Sequence, residues 1–469
     1  MRKRWVGLGA LAIGVTLLLG ACSWMQPGSI DQLGADRVQT FEVVVDGPLT
    51  DELLAELEGY GRVTDRFDAI GGVLIRAKQS AADALAGLSF VESIGSPAMR
   101  YAHNCAAGIN TWDLDLINVT DYGEPRDVSQ NGAGVYVAIL DTGLVENWRD
   151  YLPEDRIAVD YAKAFNSGQS ENSAVADVPH LWERDTESHG THVASTILGY
   201  RIKSLDSPFD VNGVAPMATV IPVKVLGNSG GGWSPGIAAG IIYVTDLKPA
   251  LDDAPMVINM SLGGPYLSPL EEAAINYAIA NGVVVVASAG NEGETGMGYP
   301  GAYEPVISVG AIGWVDEWIG GTGFWAFDVP EPGTDDELIA SVYVCDFSSR
   351  EIGDQDLDVL APGSWIVGPY LAYGAATPPL WSRGMPGEYY FLGGTSMAAP
   401  HVAGTVALLL QKNPNLEASA VEGVLEAAAV PLPAGSRSVD DGSGTPVEFT
   451  WDTDATGAGI LLADRVLEP

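Results

Sequence analysis

The chain is poor in positive charge. Lys and Arg total 23 against 61 Asp and Glu, which leaves a formal net charge of −38. Such a surface repels phosphate backbones, so nucleic acid is excluded as a partner. Cysteine is scarce as well, with three in 469 residues, and a disulfide-dense scaffold is excluded with it. The one apolar stretch near the amino end, Trp5–Leu19, stops short of the roughly 20 residues that a membrane-spanning helix needs. Histidine occurs five times, so few side chains compete for the role of a catalytic base. What remains is apolar in 47% of its residues and charged in only 18%, the balance of a chain with a well-filled interior. Its length suits one large domain and a smaller one.

Arg2, Lys3 and Arg4 precede the apolar stretch, the order of a secretory signal peptide. The stretch ends in Leu19-Gly20-Ala21-Cys22, which resembles the bacterial lipoprotein cleavage box. That resemblance implies removal of residues 1–21, lipidation of Cys22 and a membrane anchor outside the cytoplasm. Of the other cysteines, Cys105 and Cys345 can pair in an oxidising compartment or stay as buried thiols; both options stand.

Residues 22–37, with Pro27-Gly28-Ser29, read as a tether. Residues 38–101 carry the pattern of a small βαββαβ, ferredoxin-like module. Strand-like runs lie at Phe41–Val45, Arg62–Phe67, Val73–Ala77 and Val91–Ile94, and a helix follows Thr50. Ser80 with Asp83 predicts a capping box for a second helix. Residues 102–469 change texture. Val135–Leu140, Val220–Val225, Met256–Met260 and Val283–Ser288 are nearly unbroken apolar runs rich in Val and Ile. Such runs predict strands buried on both faces, hence a doubly wound, mostly parallel sheet in an α/β domain. Ser268-Pro269 with Glu271 predicts a helix start, and Asn281-Gly282 its end. The stretch 314–342, with Trp and Phe, Gly320-Gly321 and acidic Pro-rich residues, reads as a surface insertion.

In an open α/β sheet the site lies beyond the carboxyl ends of the strands. There the runs deliver Asp141-Thr142-Gly143, Ser261-Leu262-Gly263-Gly264 and Ala289-Gly290-Asn291. Two helices open on Ser188-His189-Gly190-Thr191-His192 and on Gly394-Thr395-Ser396-Met397-Ala398. A serine at a helix start lies near unpaired N–H groups and the positive dipole end, which favour an oxyanion. Its hydroxyl is a weak nucleophile and needs an oriented imidazole. His189, heading its helix before Gly190, suits that role; His192 and His401 read as core histidines.

With Ala138-Ile139-Leu140-Asp141-Thr142-Gly143, Ser188-His189-Gly190-Thr191-His192-Val193-Ala194, Ala289-Gly290-Asn291-Glu292-Gly293 and Gly394-Thr395-Ser396-Met397-Ala398-Ala399-Pro400-His401, the chain resembles the subtilisin-like peptidases, in that family's order of Asp, His and Ser. The resemblance implies a secreted serine endopeptidase with Ser396 as nucleophile, His189 as base, Asp141 orienting the imidazole, and Asn291 with the Ser396 N–H as oxyanion hole. It makes Ser261, Leu262, Gly263 and Gly264 the substrate-pairing edge and puts Gly298 at the pocket floor, which predicts large apolar residues before the cut. It makes 38–101 an inhibitory pro-domain, cut away after Tyr101, and polypeptides the substrates. It requires no cofactor for catalysis and names no metal ligand, although structural calcium is common among such enzymes and acidic loops are plentiful here. A lipase reading fails on the absence of Gly-x-Ser-x-Gly around Ser396, and a zinc reading on the absence of a glutamate between His189 and His192. The remaining alternative is a catalytically silent surface lipoprotein that retains the fold; a damaged triad would mark it.

Overall fold

The computed structural model describes residues 38–67, 71–95, 110–121, 126–165, 177–203, 208–319, 321, 323–330, 332–371, 388–440 and 445–468. The signal segment, Cys22, the tether, the junction around Tyr101, His103 and Cys105 lie outside them. The chain divides into two compact units, Met1–Ala102 and His103–Pro469.

In the first unit, β1 (Val38–Val45), α1 (Asp51–Glu58), β2 (Gly61–Phe67), β3 (Gly72–Lys78), α2 (Ala82–Ala86) and β4 (Val91–Gly95) follow one another. The sheet runs β2-β3-β1-β4, antiparallel at each described pairing, the order of a ferredoxin-like fold. Thr50 caps α1 by accepting from Leu53 N–H at 3.3 Å. The second helix departs from the sequence expectation. A 3-10 turn, Gln79–Ala81, precedes it, so Ser80 sits inside that turn and not at the boundary of α2.

The second unit opens with α3 (Trp112–Leu116), β5 (Tyr136–Asp141), β6 (Lys163–Ala164), α4 (His189–Leu198) and the hairpin β7 (Tyr200–Ile202) and β8 (Phe209–Val211). It continues through β9 (Thr219–Lys224), α5 (Ser234–Asp246), β10 (Met256–Met260), α6 (Pro269–Ala280), β11 (Val283–Ser288) and β12 (Ile307–Trp314). Then come α7 (Asp335–Ser341), β13 (Val342–Val344), β14 (Val359–Pro362), β15 (Ile366–Pro369), β16 (Tyr389–Leu392) and α8 (Thr395–Lys412). The chain closes with α9 (Ala418–Ala428), β17 (Gly435–Asp440), β18 (Pro446–Trp451) and α10 (Ala463–Val466).

The main sheet has the order β13-β12-β11-β10-β5-β9-β6, with β14 also on β12. Every pairing in it is parallel except β12 with β13. The period of two along each strand sends successive side chains to opposite faces. Val137 and Ile139 join the core under α4 and α8, whereas Ala138 and Leu140 join the core under α5 and α6. Val284 and Val286 share the first face, and Val283 and Val285 the second. Burial on both faces is why these strands read as continuous apolar runs. At about 1.5–3 kcal/mol for each fully buried Val or Ile, a charge anywhere along them would be costly.

The stretch 314–342 is not the surface insertion that its charged and Pro-rich residues suggest. Trp314, Phe324, Trp325, Val329 and Leu338 are buried in the larger core, and Trp112 stacks on Trp314 with centroids 6.4 Å apart. Glu317 goes inside with them, fully buried. Its Oε1 accepts from Trp314 N–H at 3.1 Å, and its Oε2 accepts from the Tyr343 and Ser364 hydroxyls at 2.9 Å each. Cys345 is a buried free thiol. A second internal tie joins α3 to α8: His401 Nε2 lies 2.9 Å from Asp113 Oδ2, with its Nδ1 2.8 Å from the Met397 carbonyl. His192 is buried too, its Nε2 3.1 Å from the Ile366 carbonyl.

Candidate active site

The carboxyl end of β5 carries Asp141, fully buried. Both its oxygens lie 2.9 Å from His189 Nδ1, and Oδ1 also accepts from Thr142 N–H at 2.6 Å. The contact requires a close approach of two chain segments, and two glycines permit it. A Cβ on Gly190 would sit 2.4 Å from the Gly143 carbonyl and 3.2 Å from the Asp141 side chain. Gly143, at φ +90°, would place its own Cβ 2.3 Å from the Trp182 carbonyl. The Asp-Thr-Gly and His-Gly sequences are thus one steric solution.

Sequence reading missed the residue that frames this pair. Asp185 Oδ2 accepts from Thr142 Oγ1 at 2.7 Å and from Ser188 N–H at 2.8 Å, and Oδ1 accepts from Glu187 N–H at 2.9 Å. Gly190 N–H in turn donates to Thr142 Oγ1 at 2.9 Å. Asp185 therefore bolts the loop after β5 to the loop before α4. Asp185 accepts from the N–H groups two and three residues onward, an Asx turn ahead of α4, which the sequence alone does not distinguish from an exposed loop aspartate. Burial raises its carboxyl to about 6 despite Lys224 at 3.8 Å. For His189, burial opposes the charged ring, but Asp141, then Glu187 and Asp185, outweigh it and raise the imidazole to about 9.

Ser396 lies in the first turn of α8, in the same cleft as His189. Its Oγ donates to the Ser261 carbonyl at 3.3 Å; a bond to His189 is not among the described contacts. Catalytic hydrogen bonds are commonly long or misaligned without substrate. The Ser396 backbone is held from behind, because Ser261 Oγ donates to the Ser396 carbonyl at 2.7 Å and Asn259 Nδ2 donates to Ser261 Oγ at 3.0 Å. Asn259, buried in β10, had no recognisable motif around it.

Asn291 is oriented by its neighbours. Its Oδ1 accepts from Thr395 N–H at 2.9 Å and from Thr395 Oγ1 at 3.0 Å. A backbone N–H can only donate, so the amide oxygen must face it and Nδ2 is left as the free donor, 3.6 Å from where a Gly394 Cβ would sit. Ser261, Leu262, Gly263 and Gly264 line the cleft with Tyr299, Trp233 and Gly230–Gly232. Gly264 exchanges both backbone bonds with Tyr299 at 2.8 Å. By strand alternation Gly263 turns its own groups to the open side. Gly298 is not among the described cleft-lining residues, but its Cα lies 3.9 Å from the position a Gly263 Cβ would take.

Two groups of carboxylates have the spacing to hold a cation: Asp115 with Asp121 and Asp328, and Asp356 with Asp358 and Glu422. Neither includes a residue of the cleft. Among the described residues no helix is long and apolar enough to cross a membrane.

The profile of the Subtilase family matches residues 132–458. Subtilisin DY of Bacillus licheniformis is 36% identical over 305 residues, covering 64% of this chain and 85% of that protein. Subtilisin E of Bacillus subtilis (strain 168) is 32% identical over 339 residues, covering 71% of this chain and 68% of that protein. Among solved structures, Sphericase aligns with a TM-score of 0.51 at 27% identity, over 75% of this chain and 97% of its own.

Proposed function

The chain belongs to the subtilase family and is a serine endopeptidase, and from that premise we propose that Asp141, His189 and Ser396 perform its chemistry. Ser396 Oγ attacks the scissile carbonyl carbon as His189 Nε2 takes its proton. The oxyanion is met by Asn291 Nδ2 and the Ser396 N–H. His189 returns the proton to the leaving amine, and water, deprotonated by the same ring, releases the acyl group. Asp141 keeps Nδ1 protonated and balances the charge on the ring. What carries the reading is the 2.9 Å contact of buried Asp141 with His189 in the cleft that Ser396 enters. Labelling by a fluorophosphonate, lost in Ser396→Ala, tests it. An intact, folded protein that resists the reagent would instead support the silent binding lipoprotein.

The substrate is read as an extended polypeptide pairing with Gly263, with a large apolar side chain before the cut. Gly298 has space for a Cβ, its nearest neighbour being 3.6 Å away. Gly298→Val should therefore fold and shift cleavage from Phe toward Ala; a peptide-library profile dominated by Lys or Arg at that position would reject the pocket. The first unit is read as an inhibitory pro-domain over 38–101 ahead of a catalytic domain over 102–469, supported by its ferredoxin-like order. Secretion and an anchor through Cys22 rest on the amino-terminal motif, and N-terminal sequencing of the active species, with mass analysis of Cys22, tests both. Catalysis needs no cofactor. A structural calcium fits Asp356, Asp358 and Glu422, where Asp358 Oδ1 is buried with no hydrogen-bond partner; a chelator should then lower the melting temperature.

A further inference from the structure

Glu187 stands two residues before His189 and lines the cleft with Thr142, Gly230 and Gly231. Its carboxylate is held by two neutral donors. Oε2 accepts from His189 N–H at 2.7 Å, and Oε1 accepts from the Tyr370 hydroxyl at 3.0 Å. Each oxygen keeps a lone pair, because a carboxylate offers about four acceptor sites. No lysine or arginine is among the described cleft-lining residues. The nearby Lys224 is buried, with its ammonium spent on the Thr142 carbonyl and on Asn228 Oδ1. The adjoining wall is bare among the described residues: there a Cβ on Gly231 would meet nothing within 4 Å, and one on Gly230 would first meet Glu187 Cγ at 3.9 Å. A negative group therefore faces open space that a side chain can enter.

Strand geometry says which side chain that is. An extended substrate paired with Gly263 sends the residue before the cut toward Gly263 and Gly298. Successive side chains alternate, so the preceding one points to the opposite wall, where His189 and Glu187 stand. We propose that Glu187 makes this cleft select peptides with lysine or arginine as the second residue on the amino side of the scissile bond. The inference rests on the peptidase reading and adds to it a substrate class, basic-apolar dipeptide steps within extended chain. A cation there takes the free lone pairs of Glu187 and leaves both existing donors in place, whereas an acidic side chain meets repulsion. A substrate seated over the pair displaces water from it, which strengthens an ion pair beyond its value on an open surface.

The test compares two fluorogenic peptides, Ala-Ala-Lys-Phe and Ala-Ala-norleucine-Phe, by kcat/KM in the active enzyme and in Glu187→Gln. A third peptide carries its lysine one position earlier. The lysine peptide should be favoured about tenfold, the ratio should fall to about twofold or less in Glu187→Gln, and the displaced lysine should gain little. Because each ratio is taken within one protein, a general loss of activity cancels. Should Glu187→Gln not fold, the unaltered enzyme still decides, since raising salt from about 0.05 to 0.5 M must shrink its ratio. Equal rates for the first two peptides, an unchanged ratio in the variant, or equal favour for the displaced lysine overturns the inference. If no peptide is cut although Ser396 takes up a fluorophosphonate, this inference alone fails; if Ser396 is not labelled either, the peptidase reading fails with it.

Discussion

Acid should silence this enzyme at an unusually high pH. In the proposed triad the base must be neutral to accept the Ser396 proton, and His189 is held at about 9 by the carboxylates around it. Only about 1% of the rings are then neutral at pH 7 and about half at pH 9, so kcat/KM should climb roughly 50-fold between those values. The assay is hydrolysis of an uncharged peptide amide from pH 5.5 to 10.5 at constant ionic strength, with the rate of fluorophosphonate labelling as a second readout. Both should rise about tenfold per pH unit and bend near 9. Glu187→Gln removes one of the charges that raise the ring and should move the bend to lower pH. The same shift bears on folding with opposite consequence. A histidine raised above its ordinary 6.5 contributes stability that is complete below pH 6.5 and lost as pH rises through about 9. The difference is about 3 kcal/mol and is measurable by urea unfolding of Ser396→Ala. Activity should thus grow over the range in which this part of the stability fades. A plateau of activity already reached by pH 7, or a bend that moves upward in Glu187→Gln, would refute the electrostatic reasoning.

Asn291→Ala removes the oriented Nδ2 donor and should lower kcat by about 10²–10³ with little change in KM; a change of less than about threefold would remove Asn291 from the oxyanion hole. Gly190→Ala forces a Cβ to 2.4 Å from the Gly143 carbonyl. It should cost about 1–3 kcal/mol of stability and depress kcat through displaced His189, read by thermal unfolding and steady-state kinetics together. Glu317, which burial pushes up to about 7, contributes stability that is full below its ordinary 4.5 and lost as pH passes about 7. Glu317→Gln should therefore gain on the parent by about 3 kcal/mol between pH 4.5 and 8.5; parallel unfolding curves at both pH values would contradict this.

The residues that meet at the cleft were readable because each sits in a local sequence with its own mechanical reason. Asp141 ends a doubly buried strand, His189 is followed by the one residue type that clears Gly143, and Ser396 opens a helix. The supporting residues were not readable. Asp185 and Asn259 act through partners 43 and 2 positions away, on hydroxyls whose orientation only the folded chain sets. The stretch 314–342 misled because its acids and prolines look solvated, whereas Glu317 meets Tyr343 and Ser364, 26 and 47 positions onward, and can go inside. Around Ser80 the helix boundary was misread: the 3-10 turn over Gln79–Ala81 comes directly before α2, and Ser80 lies inside that turn.

The tie between Asp113 and His401 sets an inner limit to any trimming of the catalytic unit at its amino end. Under the proposed maturation, a cut upstream of residue 113 leaves this contact with the Ser396 helix in place. Beyond that point, loss of Asp113 leaves the Nε2 of a wholly enclosed imidazole facing no partner, and a buried polar group left unsatisfied typically costs about 1–3 kcal/mol. If the proposed pro-domain cut is made, forms trimmed past residue 113 should therefore unfold more readily than longer ones.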